Sequence, residues 1–248
     1  FIVRYRSVLY SGFAEVLRRF EDDHDGALAV RGNCYLIDQL IRTIFEIAAD
    51  YIYPAANPTA TDQLCIVAYG GYGRGELAPK SDVDLLFVLP YKPTPRSEQI
   101  IEHTLYMLWD LGLKVGHATR SIDECLRQAK ADITVRTGLL EARYIWGEQK
   151  LFLELRHRFW REVAAGSESE YVEAKLNERD ERHRKMGDSR YVLEPNIKEG
   201  KGGIRDLQTL YWIAKYLYQV DDVGQLVEKG VLTTEEMALF DKAHMHLW

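Results

Sequence analysis

The chain has 248 residues and carries 32 Lys and Arg against 38 Asp and Glu, a formal charge of −6. A 46% hydrophobic share with 28% charged residues is globular composition and excludes a wholly disordered chain. The acidic balance excludes a protein whose main task is wrapping nucleic acid, though not a local nucleotide pocket, and apolar runs such as Leu85-Leu86-Phe87-Val88-Leu89 fall far short of the ~20 residues of a membrane span.

From Arg4 to about Tyr53 the pattern is helical, with Leu36, Leu40, Ile44, Ile47 and Tyr51 on one face. The acidic knot Glu21-Asp22-Asp23-His24-Asp25-Gly26 predicts a break into two helices. Tyr53-Pro54 opens a loop, because proline forces its predecessor out of the helical region. Leu64 to Tyr69 reads as a short buried strand and runs into Gly70-Gly71-Tyr72-Gly73-Arg74-Gly75-Glu76. Val83 to Leu89 is a second strand. Ser97 is the expected N-cap of a helix that Gly112 stops, and Leu113 to Thr119 is a third strand, followed by a helix capped by Ser121. From Ile122 onward the pattern is almost entirely helical. The expected architecture is α+β: N-terminal helices over 1–60, a small mixed β-sheet core over 61–122 and a mainly helical domain over 123–248. Cys34, Cys65 and Cys125 lie far apart, as reduced thiols of a cytoplasmic protein do. The chain starts at Phe1 and stops at Trp248 inside a helical pattern, which reads as part of a longer protein.

The densest chemical signal is Gly70-Gly71 closing one strand, a ten-residue linker, and Asp82-Val83-Asp84 opening the next. Residues two apart on a strand point to one face, so both carboxylates project together. Such a pair suits a hard cation such as Mg²⁺, which keeps positions open for phosphate oxygens and water. Glycines without a Cβ let an anionic phosphate approach the backbone N–H groups. Arg74 and Lys80 add positive charge to the linker. Neither standard phosphate fingerprint fits, since Glu76 stands where a dinucleotide loop needs glycine and a P-loop needs lysine.

With these residues in hand, Gly70-Gly71-Tyr72-Gly73-Arg74-Gly75-Glu76-Leu77 and Ser81-Asp82-Val83-Asp84-Leu85-Leu86 resemble the signature of the nucleotidyltransferase superfamily that includes DNA polymerase β. The resemblance narrows to the bacterial PII uridylyltransferase family through a second block, Leu193-Glu194-Pro195-Asn196-Ile197-Lys198-Glu199-Gly200 to Gly202-Gly203-Ile204-Arg205-Asp206-Leu207-Gln208. The intervening Leu108-Trp109-Asp110 and Val115-Gly116-His117 are similar to that family as well. The resemblance implies transfer of UMP from UTP to a tyrosine of the PII nitrogen-regulatory protein with release of pyrophosphate. It implies Mg²⁺ on Asp82 and Asp84 and the triphosphate held by Gly70, Gly71 and the Ser81 region, with Gly73, Arg74, Lys198 and Arg205 as further nucleotide contacts. It also implies that an HD hydrolase and glutamine-sensing ACT domains follow in relatives, so glutamine sensing is expected only there. No membrane or nucleic-acid partner is expected. The alternatives are an adenylyltransferase of the same superfamily, acting on glutamine synthetase or another protein, and a non-catalytic module that binds nucleotide or PII.

One departure touches mechanism. The superfamily adds a third carboxylate from a later strand, and the matching segment Leu113-Lys114-Val115-Gly116-His117-Ala118-Thr119 has none. Lys114 stands where a glutamate is expected, and Asp123 follows the helix cap. His117 is open to two readings, base or half-buried strand histidine. The run from Asn177 to Arg190 reads as a solvated helix face, from which one or two cations reach the triphosphate in a second reading. The aromatic stripe Tyr211, Trp212, Tyr216, Tyr218 reads as core or docking surface. The dipeptide His24-Asp25 lacks further ligands and reads as solvated loop.

Overall fold

The computed structural model describes residues 2–57, 59–187, 194, 196–220 and 223–248. The chain divides into two compact units, Phe1–Phe159 and Trp160–Trp248.

In the first unit, α1 (Ile2–Asp23) and α2 (Gly26–Glu46) are separated by His24, whose φ of +56° no helix accommodates. The Asp25 carboxylate then caps α2 by accepting the Leu28 N–H at 2.9 Å. The acidic knot thus breaks the helix as its composition predicts. α2 runs into a π-helical turn, Ile47–Ile52, which shifts the phase of the apolar stripe. Ala48 is buried there, while Tyr51, expected on the stripe, is 80% exposed.

Four strands form one sheet: β1 (Cys65–Ala68), β2 (Val83–Leu89), β3 (Val115–Ser121) and β4 (Arg143–Gly147), in the order β3-β2-β1-β4. β1 is antiparallel to β2 and β4, whereas β2 and β3 are parallel. A parallel pair needs a crossover, supplied by α4 (Pro95–Asp110). Its N-cap is Thr94 rather than the expected Ser97. Ser97 is the reciprocal partner, its hydroxyl accepting the Thr94 N–H at 2.9 Å. Gly112, at φ +86°, follows the helix end as expected.

The segment after Ile122 departs from the helical expectation. α5 (Ile122–Ala131) and α6 (Ile133–Leu140) lead into β4, and α7 (Gln149–Phe159) closes the unit. The sheet-bearing unit therefore extends to Phe159, beyond the boundary expected at 122. β4 is a five-residue edge strand with only Ile145 buried, and a register shift interrupts its pairing between Ile66 and Val67. Its Tyr-Ile-Trp run favours a strand but is too short and too little alternating to stand out from the helical pattern around it, and the open edge of β1 gives it a partner.

Alternation along β2 sorts the sheet's two faces. Val83, Leu85, Phe87 and Leu89 join Ile66 and Ala68 in a core with Ile37, Ile41 and Ile44 of α2 and Ile100, Leu105 and Leu108 of α4. Leu86 and Val88 are buried on the opposite face, and α7 packs against β1 and β2. That opposite face carries Asp84 at its other end.

The second unit contains α8 (Glu168–Lys185), α9 (Ile204–Tyr218), α10 (Gly224–Glu228) and α11 (Thr234–Leu247). Tyr171 of α8 and Tyr216 of α9 stack with ring centroids 3.9 Å apart, and the Lys175 ammonium lies 4.5 Å from the Trp212 ring centroid. Trp212 and Tyr216 are thus core residues, while Tyr218 at the stripe's end is exposed. Among the described residues, no helix is long and apolar enough to cross a membrane.

Candidate active site

β1 ends at Ala68, and the N–H of the next residue, Tyr69, donates to the Asp84 carbonyl at 3.0 Å, so the following glycines start directly beside β2. Gly70–Gly73 form a single helical turn, α3, with Gly70 at φ +56°. Its first i→i−4 bond is that of the Gly73 N–H to the Tyr69 carbonyl, 3.0 Å. The N–H groups of Gly70, Gly71 and Tyr72 stand ahead of this ladder, as the first donors of any helical turn do. Pro79 and Lys80 then turn the chain, with Lys80 at φ +66° and the Ser81 N–H on the Ala78 carbonyl at 3.1 Å. Ser81 and Asp82 are exposed, and Asp84 is half-buried.

Asp84 lies in a slot between two glycines. A Cβ on Gly70 would stand 3.2 Å from its Oδ2, and one on Gly116, its register partner on β3, 2.5 Å from its Oδ1. Any side chain at 116 would displace the carboxylate. Gly116 was missed as a site residue, although a glycine inside a strand signals close approach of another group. Partial burial, and next the charge of Asp82, raise the Asp84 carboxyl above its ordinary value.

Two ionic clusters flank the glycine turn. Arg74, 13% exposed, donates from Nε to Glu76 at 2.8 Å and from Nη1 to both oxygens of the 3%-exposed Glu141 at 2.8 and 2.9 Å. Burial works against its charge, but Glu141 and Glu76 outweigh that and hold its pKa above the ordinary value. The guanidinium expected to meet a triphosphate is therefore committed to two carboxylates beneath the turn. On the other flank, the Tyr72 hydroxyl donates to Asp38 Oδ1 at 2.5 Å, and Arg143 donates to Asp38 Oδ2 at 2.6 Å. Burial, and next the Asp38 charge, push the Tyr72 phenol well above its ordinary value, so it remains a donor.

Other sequence-derived residues fall elsewhere. His117 pairs in register with Leu85, on the core side of the sheet, and its ring meets Trp109 of α4 edge-on at 5.9 Å. Strand alternation thus points it away from Asp84. The Lys114 carbonyl accepts the Val83 N–H at 2.8 Å, which continues the ladder and sets Lys114 beside Asp82. Asp123 pairs with Arg158 at 2.8 Å. Among the described residues, no three His, Cys, Asp or Glu side chains gather as a metal cluster. The chain's donor set here is two carboxylates with no nitrogen or sulfur. That fits a hard cation completing its shell with substrate and water oxygens, and the two glycines keep the space beside Asp84 clear.

The second block folds into a self-contained turn of the second unit; Leu193 and Pro195 lie outside the described residues, as does Arg190. The Asn196 side chain accepts the N–H groups of Lys198 and Glu199 at 3.0 and 2.8 Å, and the Ile204 N–H returns to the Ile197 carbonyl at 2.9 Å. A Cβ on Gly200 or Gly203 would stand 2.6 or 2.4 Å from a carbonyl oxygen of this turn, so both glycines serve the turn itself. Lys198 is exposed, while Arg205 donates to Gln208 at 2.9 Å and lies over Trp212 at 5.6 Å. Asp206 caps the turn through the Gly202 N–H at 2.8 Å, and its carboxylate also receives Arg182 and, at 2.9 Å, His183.

Comparison with known proteins meets this geometry. The nucleotidyltransferase domain family matches residues 63–140, which contain the glycine turn, both aspartates and β3. The GlnD PII-uridylyltransferase family matches residues 170–248. The chain is 61% identical over 247 residues to a bifunctional uridylyltransferase/uridylyl-removing enzyme of Azospirillum brasilense, covering 100% of this chain and 26% of that protein. Proteins of the same name from Rhodospirillum rubrum and Novosphingobium aromaticivorans are 56% and 53% identical, each over 98% of this chain and 26% and 27% of their own lengths. The chain spans about a quarter of the length of the curated relatives it matches, and over that span it is similar to uridylyltransferase/uridylyl-removing enzymes and carries a nucleotidyltransferase domain match.

Proposed function

We propose that the first unit transfers UMP from UTP to a tyrosine hydroxyl of a PII signalling protein, in the cytoplasm, with release of pyrophosphate. The observation that carries this reading is the Asp84 carboxylate held between Gly70 and Gly116 at the foot of the glycine turn. Asp82 and Asp84 would hold Mg²⁺, which when bound supplies positive charge to the phosphate oxygens. The N–H groups of Gly70 and Gly71 receive phosphate oxygens, and Ser81 stands at the entrance beside Asp82. Gly73 and Arg74 hold the turn in shape. Lys198 and Arg205 belong to the second unit and are proposed as nucleotide contacts on the family resemblance alone.

In the transfer, the acceptor oxygen forms a bond to the α-phosphorus as the bond to the bridging oxygen breaks. Pyrophosphate takes that electron pair, and the phenolic proton passes to solvent. The chain's contribution is alignment of the α-phosphorus and neutralisation of spreading charge, with little covalent chemistry of its own. Positive-charge density near the phosphates comes from the turn's N–H dipoles, since the Arg74 charge is already spent on Glu76 and Glu141.

The test is transfer of labelled UMP from UTP to purified PII by the wild-type chain and by Asp82→Asn with Asp84→Asn. Loss of at least about 10³-fold in the double variant is expected from removing both carboxylates; undiminished transfer overturns their assignment. ATP preferred over UTP as donor would identify an adenylyltransferase. UTP binding by calorimetry without turnover in the wild type would identify a binding module.

A further inference from the structure

Of the four residues in the glycine turn, Tyr72 alone has a side chain. Gly70, Gly71 and Gly73 give the turn close approach to its ligand but nothing to grip, so the direction of its leading N–H groups depends on how Tyr72 is anchored. That anchor is Asp38, 34 residues earlier on α2 and 8% exposed. Both of its carboxylate oxygens are engaged: Oδ1 accepts Tyr72 Oη at 2.5 Å and Arg143 Nη2 at 3.1 Å, and Oδ2 accepts Arg143 Nη1 at 2.6 Å. Arg143 also reaches the main chain of the turn, donating to the Tyr72 carbonyl at 3.4 Å, and its guanidinium lies 5.4 Å from the Tyr72 ring centroid. Tyr72 is thus held at its hydroxyl, its ring and its carbonyl from α2 and β4, and is 1% exposed.

The geometry points to Asp38 as a positioning residue for the nucleotide: through Arg143 and the Tyr72 hydroxyl it sets the orientation of the Gly70–Gly73 turn that receives the triphosphate. The inference rests on the proposed nucleotide site and adds to it a residue that touches no substrate. An ion pair in this position contributes little net stability relative to apolar packing of similar volume, whereas its bidentate, fork-shaped geometry restricts direction strongly. The cluster's effect therefore belongs with UTP binding, and the protein-acceptor surface should not sense it.

The experiment measures UTP affinity by calorimetry and steady-state UMP transfer for wild type, Tyr72→Phe, Asp38→Asn and the double variant, each checked by its melting temperature and far-ultraviolet circular dichroism. Tyr72→Phe removes one oxygen and keeps the ring. Weakening of UTP binding by about tenfold, with a matching rise in KM for UTP and an unchanged KM for the protein acceptor, is the expected result. The double variant should be no worse than the poorer single variant, because the Tyr72 hydroxyl acts through its contact with Asp38. Unchanged UTP affinity in folded Tyr72→Phe and Asp38→Asn overturns the inference, as does an equal rise in KM for both substrates. Should Asp38→Asn fail to fold, Tyr72→Phe alone decides. Failure of the nucleotide reading itself shows separately, as absence of UTP binding by the wild type, and takes this inference with it.

Discussion

The Asp84 carboxylate rests against Gly116 of the neighbouring parallel strand so closely that a single added methyl group would stand 2.5 Å from Oδ1. Gly116→Ala should therefore turn the carboxylate out of its slot while leaving the strand pairing intact. The expected outcome is a loss of UMP transfer of at least about tenfold with a shift in melting temperature of only a few degrees. Full activity in a folded Gly116→Ala protein would show that Asp84 does its work in another rotamer.

Asp84→Asn separates function from stability. The folded-state pKa of Asp84 is raised above 3.8, so between that value and the folded pKa the native state binds more protons than the unfolded chain. Stability of the metal-free protein accordingly falls as pH rises through this window, and the deficit persists at neutral pH. Removing the charge should raise the metal-free melting temperature at pH 7 and leave it nearly unchanged at pH 3, while abolishing transfer. Thermal melts in chelator at the two pH values check this; equal shifts at both would locate the cause outside the charge.

Arg74 offers a contrast between two roles. Arg74→Met removes a cation paired with the buried Glu141 and the half-buried Glu76 and should destabilise the first unit by about 4 kcal/mol. Glu141→Gln should be far milder, since Arg74 keeps Glu76. Urea denaturation gives the comparison. An Arg74→Met protein with an unchanged midpoint and only a higher KM for UTP would return Arg74 to the phosphate-binding role that its sequence position suggests.

In the second unit, acid should act through Asp206. Burial opposes its charge, but the Gly202 N–H, His183 and Arg182 more than compensate, and its pKa lies below 3.8. A carboxylate held low contributes stability that is complete above the unfolded value and is lost as pH falls below 3.8 towards the folded value. Asp206→Asn should lower stability at pH 7 and show a smaller further loss on acidification from pH 5 to pH 2 than wild type. Circular dichroism melts across that range read the difference; parallel curves would assign the acid sensitivity to other carboxylates.

Much of this was legible because it was local. Strand β2 follows from alternation alone, and the break at His24 and Asp25 follows from composition, while Asp82 stands just ahead of the strand that carries Asp84. What was not legible depends on distant partners. β4 pairs along the open edge of β1, and nothing in Arg143 to Gly147 alternates clearly enough to announce it. Arg74 looks like a phosphate ligand until Glu141, 67 residues later, closes on it. Asp38 reads as one polar residue in an amphipathic helix, and its tie to Tyr72 exists only in three dimensions. Gly116 carried a readable sign, a glycine within a strand, whose meaning required knowing what lay opposite.

The two halves of the proposed site differ in how they are built. Asp84 sits on an interior strand, hydrogen-bonded to neighbours on both sides and otherwise buried from Val83 to Leu89. The glycine turn is four residues long and three of them are glycine. Amide hydrogen exchange should therefore be slowest along β2 and markedly faster at Gly70 and Gly71. On the proposed reading, adjustment to an arriving triphosphate or a departing pyrophosphate falls on the turn, hinged on its one tethered side chain, while Asp84 on the interior strand keeps still.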